Sequence, residues 1–281
     1  MKIKELFDLA IQKHQKNNLS DAENLYNKIL KIDSNHFETI FLLGSLSAQT
    51  KNFNKSKDLL KKALKIKPNH VDALNNLGNV LKELNEKNEA VNCYQKVIKI
   101  NPNYLNAYFN QGAVFYELKE FKKAIDCYQK VIDINPNYID AYNNLGIIFR
   151  NLAQYQEALD CYQKIIEINP NYIDAHNNLG VIFKNLGQHQ KAISCYQKAI
   201  EINPNSANAH NNLGTVLTQL NQFNKAKICF EKSLKLDPDR KKTYEGYGTL
   251  LLKLNLHKQA LSYIKKGTGF IEFTQEGFNI I

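Results

Sequence analysis

The residues best placed to do chemistry are asparagines. Asn76, Asn110, Asn144, Asn178 and Asn212 follow one another at intervals of 34 residues. Asn75, Asn143, Asn177 and Asn211 precede four of them, with Phe109 interrupting the second series. A carboxamide carries both a donor and an acceptor, as does each peptide unit of an extended chain. A row of them at fixed spacing suits holding a peptide backbone with little regard to its side chains. Asparagine is a mediocre helix former, so helix stability gives no reason to place it mid-helix. The other use of the same groups is to brace neighbouring segments or to solvate a polar face.

Other reactive residue types point nowhere sharper. Cys93, Cys127, Cys161, Cys195 and Cys229 share the 34-residue spacing, each inside CYQK or CFEK. Metal sites need ligands clustered as in C-x-x-C, and none is present. Packed helices stand about 8–10 Å apart, beyond the ~7 Å Cα limit for a disulfide. The thiols are expected to be free, reduced packing residues. His176 and His210 read as helix-packing residues. There is no H-E-x-x-H, no phosphate-binding glycine loop and no nucleophile elbow. The expectation is a non-enzymatic protein with no cofactor and no metal.

The elements that position these residues come from the same period. Gly44, Gly78, Gly112, Gly146, Gly180, Gly214 and Gly248 are each 34 apart. Ala22, Ala90, Ala124, Ala158, Ala192, Ala226 and Ala260 keep the register, with Ser56 filling the gap, and all six prolines do the same from Pro68 to Pro238. Eight units result: 3–36, 37–70, 71–104, 105–138, 139–172, 173–206, 207–240 and 241–274, within an array spanning 1–274. An apolar tail, 275–281, remains. Each unit reads as two helices. In 139–172, Ala141, Tyr142, Leu145, Gly146, Ile148, Phe149 and Leu152 share one face, and Ala158, Leu159, Tyr162, Ile165, Ile166 and Ile168 share another. Gly146 and Ala158 let the two helices approach closely. Asn169-Pro170-Asn171 closes the second helix, and Asn171 is expected to cap the next. One such unit cannot bury its own apolar face, so units must stack.

Aromatic or aliphatic, Leu, Gly, then Ala, aromatic, small and Pro is a pattern that resembles the tetratricopeptide repeat. Tyr142-Leu145-Gly146-Phe149 and Ala158-Tyr162-Ile165-Pro170 show it in one unit. The resemblance implies an all-α fold, a right-handed α-solenoid (superhelix) of eight 34-residue helix-turn-helix repeats. The ends depart from it, with Ala10 for Gly, Ser34 for Pro, Tyr247 for Leu, Gly267 for Ala and Glu272 for Pro, as capping units would. Position numbers below count from the first residue of each unit. On a helical wheel, positions 3, 4, 7, 8, 10, 11 and 14 form the core face, and 2, 5, 6, 9, 12 and 13 the opposite face.

The resemblance implies that the opposite face lines the concave side. The position-6 run resembles the asparagine ladder in the repeat arm of O-linked N-acetylglucosamine transferases, which implies that Asn76, Asn110, Asn144, Asn178 and Asn212 bind a substrate backbone. Asp8, Leu42 and Gly246 hold that position elsewhere, so the ladder spans the central five units. Asp72, Asp140 and Asp174 at position 2, and Lys82, Arg150 and Lys184 at position 12, either add selectivity or pair with one another at little net gain. Position 5 is never Lys, and position 2 is Lys only at Lys4 and Lys242, which argues against a clamp for acidic chaperone tails.

Composition bounds the rest. At ~150 residues per domain, 281 residues would suggest about two globular domains, but the period overrides that prior. A hydrophobic share of 43% excludes disorder as the main state. The net charge of +10 sits at the ends: residues 1–70 hold 13 Lys+Arg against 7 Asp+Glu, while 71–240 hold 18 against 17. A nucleic-acid groove needs a continuous basic track, so nucleic acid is disfavoured. No run approaches the ~18 apolar residues of a membrane helix, and the start has no apolar leader core, so the expected location is cytoplasmic, with no membrane partner. The patterns imply no particular oligomeric state. The reading is a protein–protein interaction scaffold that binds an extended peptide segment through the ladder. The alternative is the substrate-recognition arm of a glycosyltransferase like the O-linked N-acetylglucosamine transferases, with its catalytic domain missing or on another chain.

Overall fold

The computed structural model describes residues 2–268 and, by their backbone alone, two strands beyond them. Sixteen helices pair off as α1 (Ile3–Gln15) with α2 (Leu19–Ile32), α3 (Phe37–Gln49) with α4 (Phe53–Ile66), α5 (Val71–Glu83) with α6 (Lys87–Ile100), and α7 (Leu105–Glu117) with α8 (Phe121–Ile134). The series continues with α9 (Ile139–Asn151) and α10 (Tyr155–Ile168), α11 (Ile173–Asn185) and α12 (His189–Ile202), α13 (Ala207–Gln219) and α14 (Phe223–Leu236), and α15 (Lys241–Lys253) and α16 (His257–Thr268). Each repeat is therefore a helix-turn-helix, and the fold is that of an α-solenoid. The chain packs as two compact units, Met1–Ala141 and Tyr142–Ile281.

The close packing of the pairs that carry glycine at position 8 has one cause, Ala10 holding that place in the first pair. At position 8, a Cβ added to Gly78 or Gly146 would come within 2.6 Å of the ring of Tyr94 or Tyr162, the residue at position 24. Gly180 lies still tighter against Tyr196. Tyr94, Tyr162 and Tyr196 are fully buried, as is Ala at position 20 beside them. Ser56 replaces that Ala once, and its hydroxyl is satisfied by the Gly44 carbonyl at 2.7 Å.

The turn between the paired helices is equally uniform. Position 15 adopts positive φ in every repeat: Asn17, Lys51, Asn85, Lys119, Ala153, Gly187, Asn221 and Asn255, all between 57° and 71°. The next amide reaches back five residues, as Gln188 N to Phe183 O at 2.8 Å, and the position-15 amide bonds the position-12 carbonyl, as Gly187 N to Lys184 O at 3.0 Å. This is a Schellman closure. Only Gly187 adopts the conformation without a Cβ penalty.

The turn between repeats differs from expectation. Asn169 is extended at φ −139°, as a residue before proline must be, and its Oδ1 accepts from Asn171 N at 3.1 Å. The N-cap of α11 is then Tyr172, one residue beyond Asn171, with no side-chain cap. Asn171 is drawn into the Asx turn instead. His36, His70 and Ser206 do cap their helices, His70 through Nδ1 accepting from Ala73 N at 3.2 Å.

Beyond α16, β1 (Ile271–Thr274) pairs antiparallel with β2 (Gly277–Ile280), Phe273 opposite Phe278. Ile271 and Phe273 alternate with Glu272 and Thr274, a strand period inside a stretch that departs from the helical pattern. Gln275, Glu276 and Ile281 of the tail, and Phe270 before it, lie outside the described residues.

Two substitutions test this packing. Gly180→Ala gains up to about 1 kcal/mol of helix propensity but overpacks Tyr196 by more, so a net loss of about 1–2 kcal/mol is expected. Ala153→Gly relieves left-handed strain and is expected to raise stability by about 1 kcal/mol. Circular-dichroism melts read both, with Tm falling for the first and rising for the second.

Candidate functional site

The first helices place the asparagines at two depths. Asn76, Asn110, Asn144, Asn178 and Asn212 at position 6 are all half-buried. Asn75, Asn177 and Asn211 at position 5 are buried, and Asn143 is half-buried. The wheel puts both positions on the open face, but most position-5 asparagines are buried, and successive first helices touch. In the last two repeats, the Phe230 ring and Asn211 Oδ1 close the space beside Gly246, the position-6 residue of the next repeat. Where position 5 is Phe it packs on the residue at position 34, as Phe41 on His70 and Phe109 on Tyr138, with centroids 5.1 and 5.3 Å apart. The carboxamide oxygens of Asn75, Asn143, Asn177 and Asn211 are buried and unpaired.

Position 6 is tied to the preceding repeat at Asn76, Asn110 and Asn178. Asn76 Nδ2 donates to Ser45 Oγ at 3.1 Å, and Asn110 Nδ2 to Asn79 Oδ1 at 2.9 Å. Asn79 Oδ1 also accepts the Tyr94 hydroxyl at 2.7 Å. In the second unit the polarity reverses: Asn178 Oδ1 accepts from an Arg150 guanidinium N–H at 2.7 Å, and Asn212 Oδ1 accepts from Asn211 Nδ2 at 3.2 Å. Asn76 and Asn110 thus keep an unspent acceptor, whereas Asn178 and Asn212 keep unspent donors. Each of these four amides is oriented by one bond and keeps the other half unspent.

A cleft of about 200 Å³ lies between α3 and α5, with Ser45, Asn76, Asn79 and Glu83 polar and Ala48, Phe53 and Val80 beneath. The flanking charges are used unevenly. Asp72 accepts the Tyr104 hydroxyl at 2.9 Å, and Lys82 reaches Glu83 at 3.5 Å. The N-terminal lysines that raise the net charge are also engaged. Lys57 pairs with Glu86 at 2.6 Å, Lys67 with Glu38 at 2.9 Å, Lys13 with Asp21 at 3.1 Å, and Lys55 with Glu23. These pairs break up a basic track.

A groove that the sequence reading passed over runs along α12 and α14, about 390 Å³ in volume, with Ile193, Leu213, Leu217 and Ile228 among its walls and Lys225 at its rim. Ile228 is 65% exposed. Its position 22 is Asn24, Asp58, Asn92, Asp126, Asp160, Ser194 and Ser262 in the other repeats, so one aliphatic among polar residues was the available signal.

His176 Nε2 lies 2.9 Å from the Pro170 carbonyl and His210 Nε2 3.0 Å from that of Pro204, so these rings pin the inter-repeat turn. The five thiols are free, with Cys93, Cys127 and Cys161 buried and Cys195 and Cys229 half-buried. Burial pushes Cys93, Cys195 and Cys229 up to about 11, and Cys127 and Cys161 up to about 12. Among the described residues no group of three or more His, Cys, Asp or Glu is placed to hold a metal ion, and no helix is long and apolar enough to cross a membrane.

A tetratricopeptide-repeat model matches residues 139–172, 173–206 and 207–240, and a second TPR-repeat model matches 78–119 and 112–152. A model described as anaphase-promoting complex, cyclosome, subunit 3, matches 15–97. Among solved structures, MamA is 30% identical, with 57% of this chain and 94% of MamA covered and a TM-score of 0.56. YrrB, described as a TPR protein with an unusual peptide-binding site, is 25% identical over 66% of this chain and 95% of its own, with a TM-score of 0.54. The C-terminal part of a TPR repeat-containing protein from Cytophaga hutchinsonii, 18% identical over 85% and 98%, shares the fold with a TM-score of 0.74. No curated protein matches the chain. The chain belongs to the tetratricopeptide-repeat proteins, whose fold serves as a protein-interaction scaffold.

The raised thiols give a direct test. At pH 8, iodoacetamide is expected to modify the native protein more than about tenfold more slowly than the urea-unfolded chain, because thiolate is the reacting form. Mass spectrometry of timed samples reads the ratio, and equal rates would contradict the burial described.

Proposed function

We propose that this chain is a non-enzymatic scaffold that holds an extended peptide segment along its first helices. Asn76 and Asn110 would serve the first unit, and Asn144, Asn178 and Asn212 the second. The observation that carries the reading is the half-spent amide at position 6. Asn76 and Asn110 each donate one bond to the preceding repeat, Asn178 accepts one from it, and Asn212 accepts one from Asn211. An amide fixed at one end loses less entropy on meeting a peptide group than a free one. Asn211 supports its rung from beneath through its Nδ2, and Asn75, Asn143 and Asn177 hold the same position with their carboxamide oxygens buried away from the ligand. The peptide-binding site named for YrrB supports a peptide as the ligand class. Five free thiols suit a reducing compartment, and the cytoplasm is the location we propose. The recognition arm of a glycosyltransferase would use the same rungs and would require a catalytic domain elsewhere. Co-purification of glycosyltransferase activity with the chain separates the two readings.

Twelve-residue peptides selected on phage against the intact protein supply the probe, and calorimetry compares the wild type with the Asn144→Ala, Asn178→Ala, Asn212→Ala triple variant. Loss of three hydrogen bonds worth about 0.5–1.5 kcal/mol each predicts binding about 10- to 2,000-fold weaker. Melting should change little, because the bracing bonds lost are offset by up to about 0.7 kcal/mol of helix propensity per site. Unchanged affinity in a normally folded variant would remove the rungs from the binding site.

A further inference from the structure

Two cations on the first-helix face of the second unit have no carboxylate to answer them. Arg150 on α9 and Lys184 on α11 stand at position 12 of consecutive repeats, both half-buried. Among the described residues neither forms an ion pair, although Lys164 and Lys198 on the second helices reach Glu167 and Glu201 at 3.0 and 2.9 Å. Arg150 is held in place, since one guanidinium N–H is spent on Asn178 Oδ1 at 2.7 Å. Its other N–H groups remain for a ligand. Ile147 and Val181, half-buried at position 9, lie one turn earlier on the same helices. Apolar neighbours of this kind strengthen a charge pair formed beside them.

Asp174, the acid at position 2 of α11, is exposed and lies ten residues before Lys184, about 15 Å along the helix. The buried Tyr162 hydroxyl feels Arg150 and Asp174 with opposite sign, so both charges border the same ground without joining.

We propose that the segment bound by the second unit is acidic, with two carboxylates three residues apart that pair with Arg150 and Lys184. The inference rests on the peptide-binding reading above and names its ligand chemistry. The spacing follows from geometry. Neighbouring packed helices stand about 8–10 Å apart, and an extended chain advances about 3.3 Å per residue, so every third residue meets the next first helix. Between the two ion pairs, Asn178 Nδ2 donates to a backbone carbonyl of the segment, its own oxygen being occupied by Arg150.

Fluorescein-labelled twelve-residue peptides of Ser, Ala, Thr and Gly carry Asp or Asn at two central positions spaced i,i+2, i,i+3 or i,i+4. Anisotropy titration against the intact protein should show the i,i+3 Asp peptide binding about tenfold tighter than its Asn counterpart, and tighter than the other two spacings. The advantage should vanish in Arg150→Gln, Lys184→Gln. The Arg150→Glu, Lys184→Glu variant should prefer the same peptide with Lys in place of Asp, a reversal that misfolding cannot produce. Equal binding of Asp and Asn peptides to the wild type would overturn the inference and leave the asparagine rungs standing. An Asp preference that survives in Arg150→Gln, Lys184→Gln would place its origin in the basic ends and overturn it too. Failure of every peptide to bind would bring down both readings.

Discussion

A missing Cβ under a ring is the constraint on which the rest depends. At position 8 the glycine Cα lies against the residue at position 24, so closely at Gly78, Gly146, Gly180 and Gly248 that an added Cβ would force that residue to shift, while in the first repeat Ala10 holds the place. The residue above need not be aromatic: Leu60 covers Gly44, and Ile264 covers Gly248. What repeats is the close approach, which fixes how far apart the paired helices lie and how each is rotated. Once that rotation is set, the back of the first helix must point away from its partner. The half-buried asparagines occupy that back because the glycines occupy the front.

Much of this was legible in the sequence, wherever a residue type itself recurs. Glycine, alanine and proline mark the period, and the helix pairs follow from apolar spacing. Features that recur only in the backbone were not legible. Position 15 is left-handed in all repeats, yet it is Asn, Lys, Ala or Gly, so no letter announces it. Position 5 was misplaced for a different reason. A wheel drawn for one helix knows its own partner but not the first helix of the next repeat, which closes on Asn211 at Gly246. The cap of α11 slipped by one residue because Asn169 and Asn171 are the same residue type competing for one turn. For the charges, sequence spacing left open whether Arg150 pairs with an acid or stands apart, and only the guanidinium bond to Asn178 settles its position.

Bracing and presenting are commonly set against each other as explanations of a polar row. A single amide has an end for each, because a carboxamide carries both a donor and an acceptor. The two units spend opposite ends, through Ser45 and Asn79 as acceptors in the first and Arg150 as donor in the second. They also differ in how neighbouring repeats are tied at the surface. Lys57 to Glu86 and Lys87 to Glu117 bridge repeats in the first unit, while Lys164 to Glu167 and Lys198 to Glu201 stay within one helix in the second. Exposed pairs contribute little individually, so this difference bears on salt response more than on stability.

The tyrosine at position 24 has a further consequence. Tyr94 finds Asn79 for its hydroxyl, but position 9 becomes Ile147 and Val181 later in the chain, and the hydroxyls of Tyr162 and Tyr196 are buried with nothing to bond. Phe230 fills the same place with no hydroxyl at all. A buried unpaired polar atom costs about 1–3 kcal/mol. In a linear array, stability is nearly a sum of local contributions, so such costs stay where they arise. The second unit therefore has a weak stretch at its leading repeats, 139–172 and 173–206. Amide protons there are expected to exchange with solvent through local opening before those of α13 and α14.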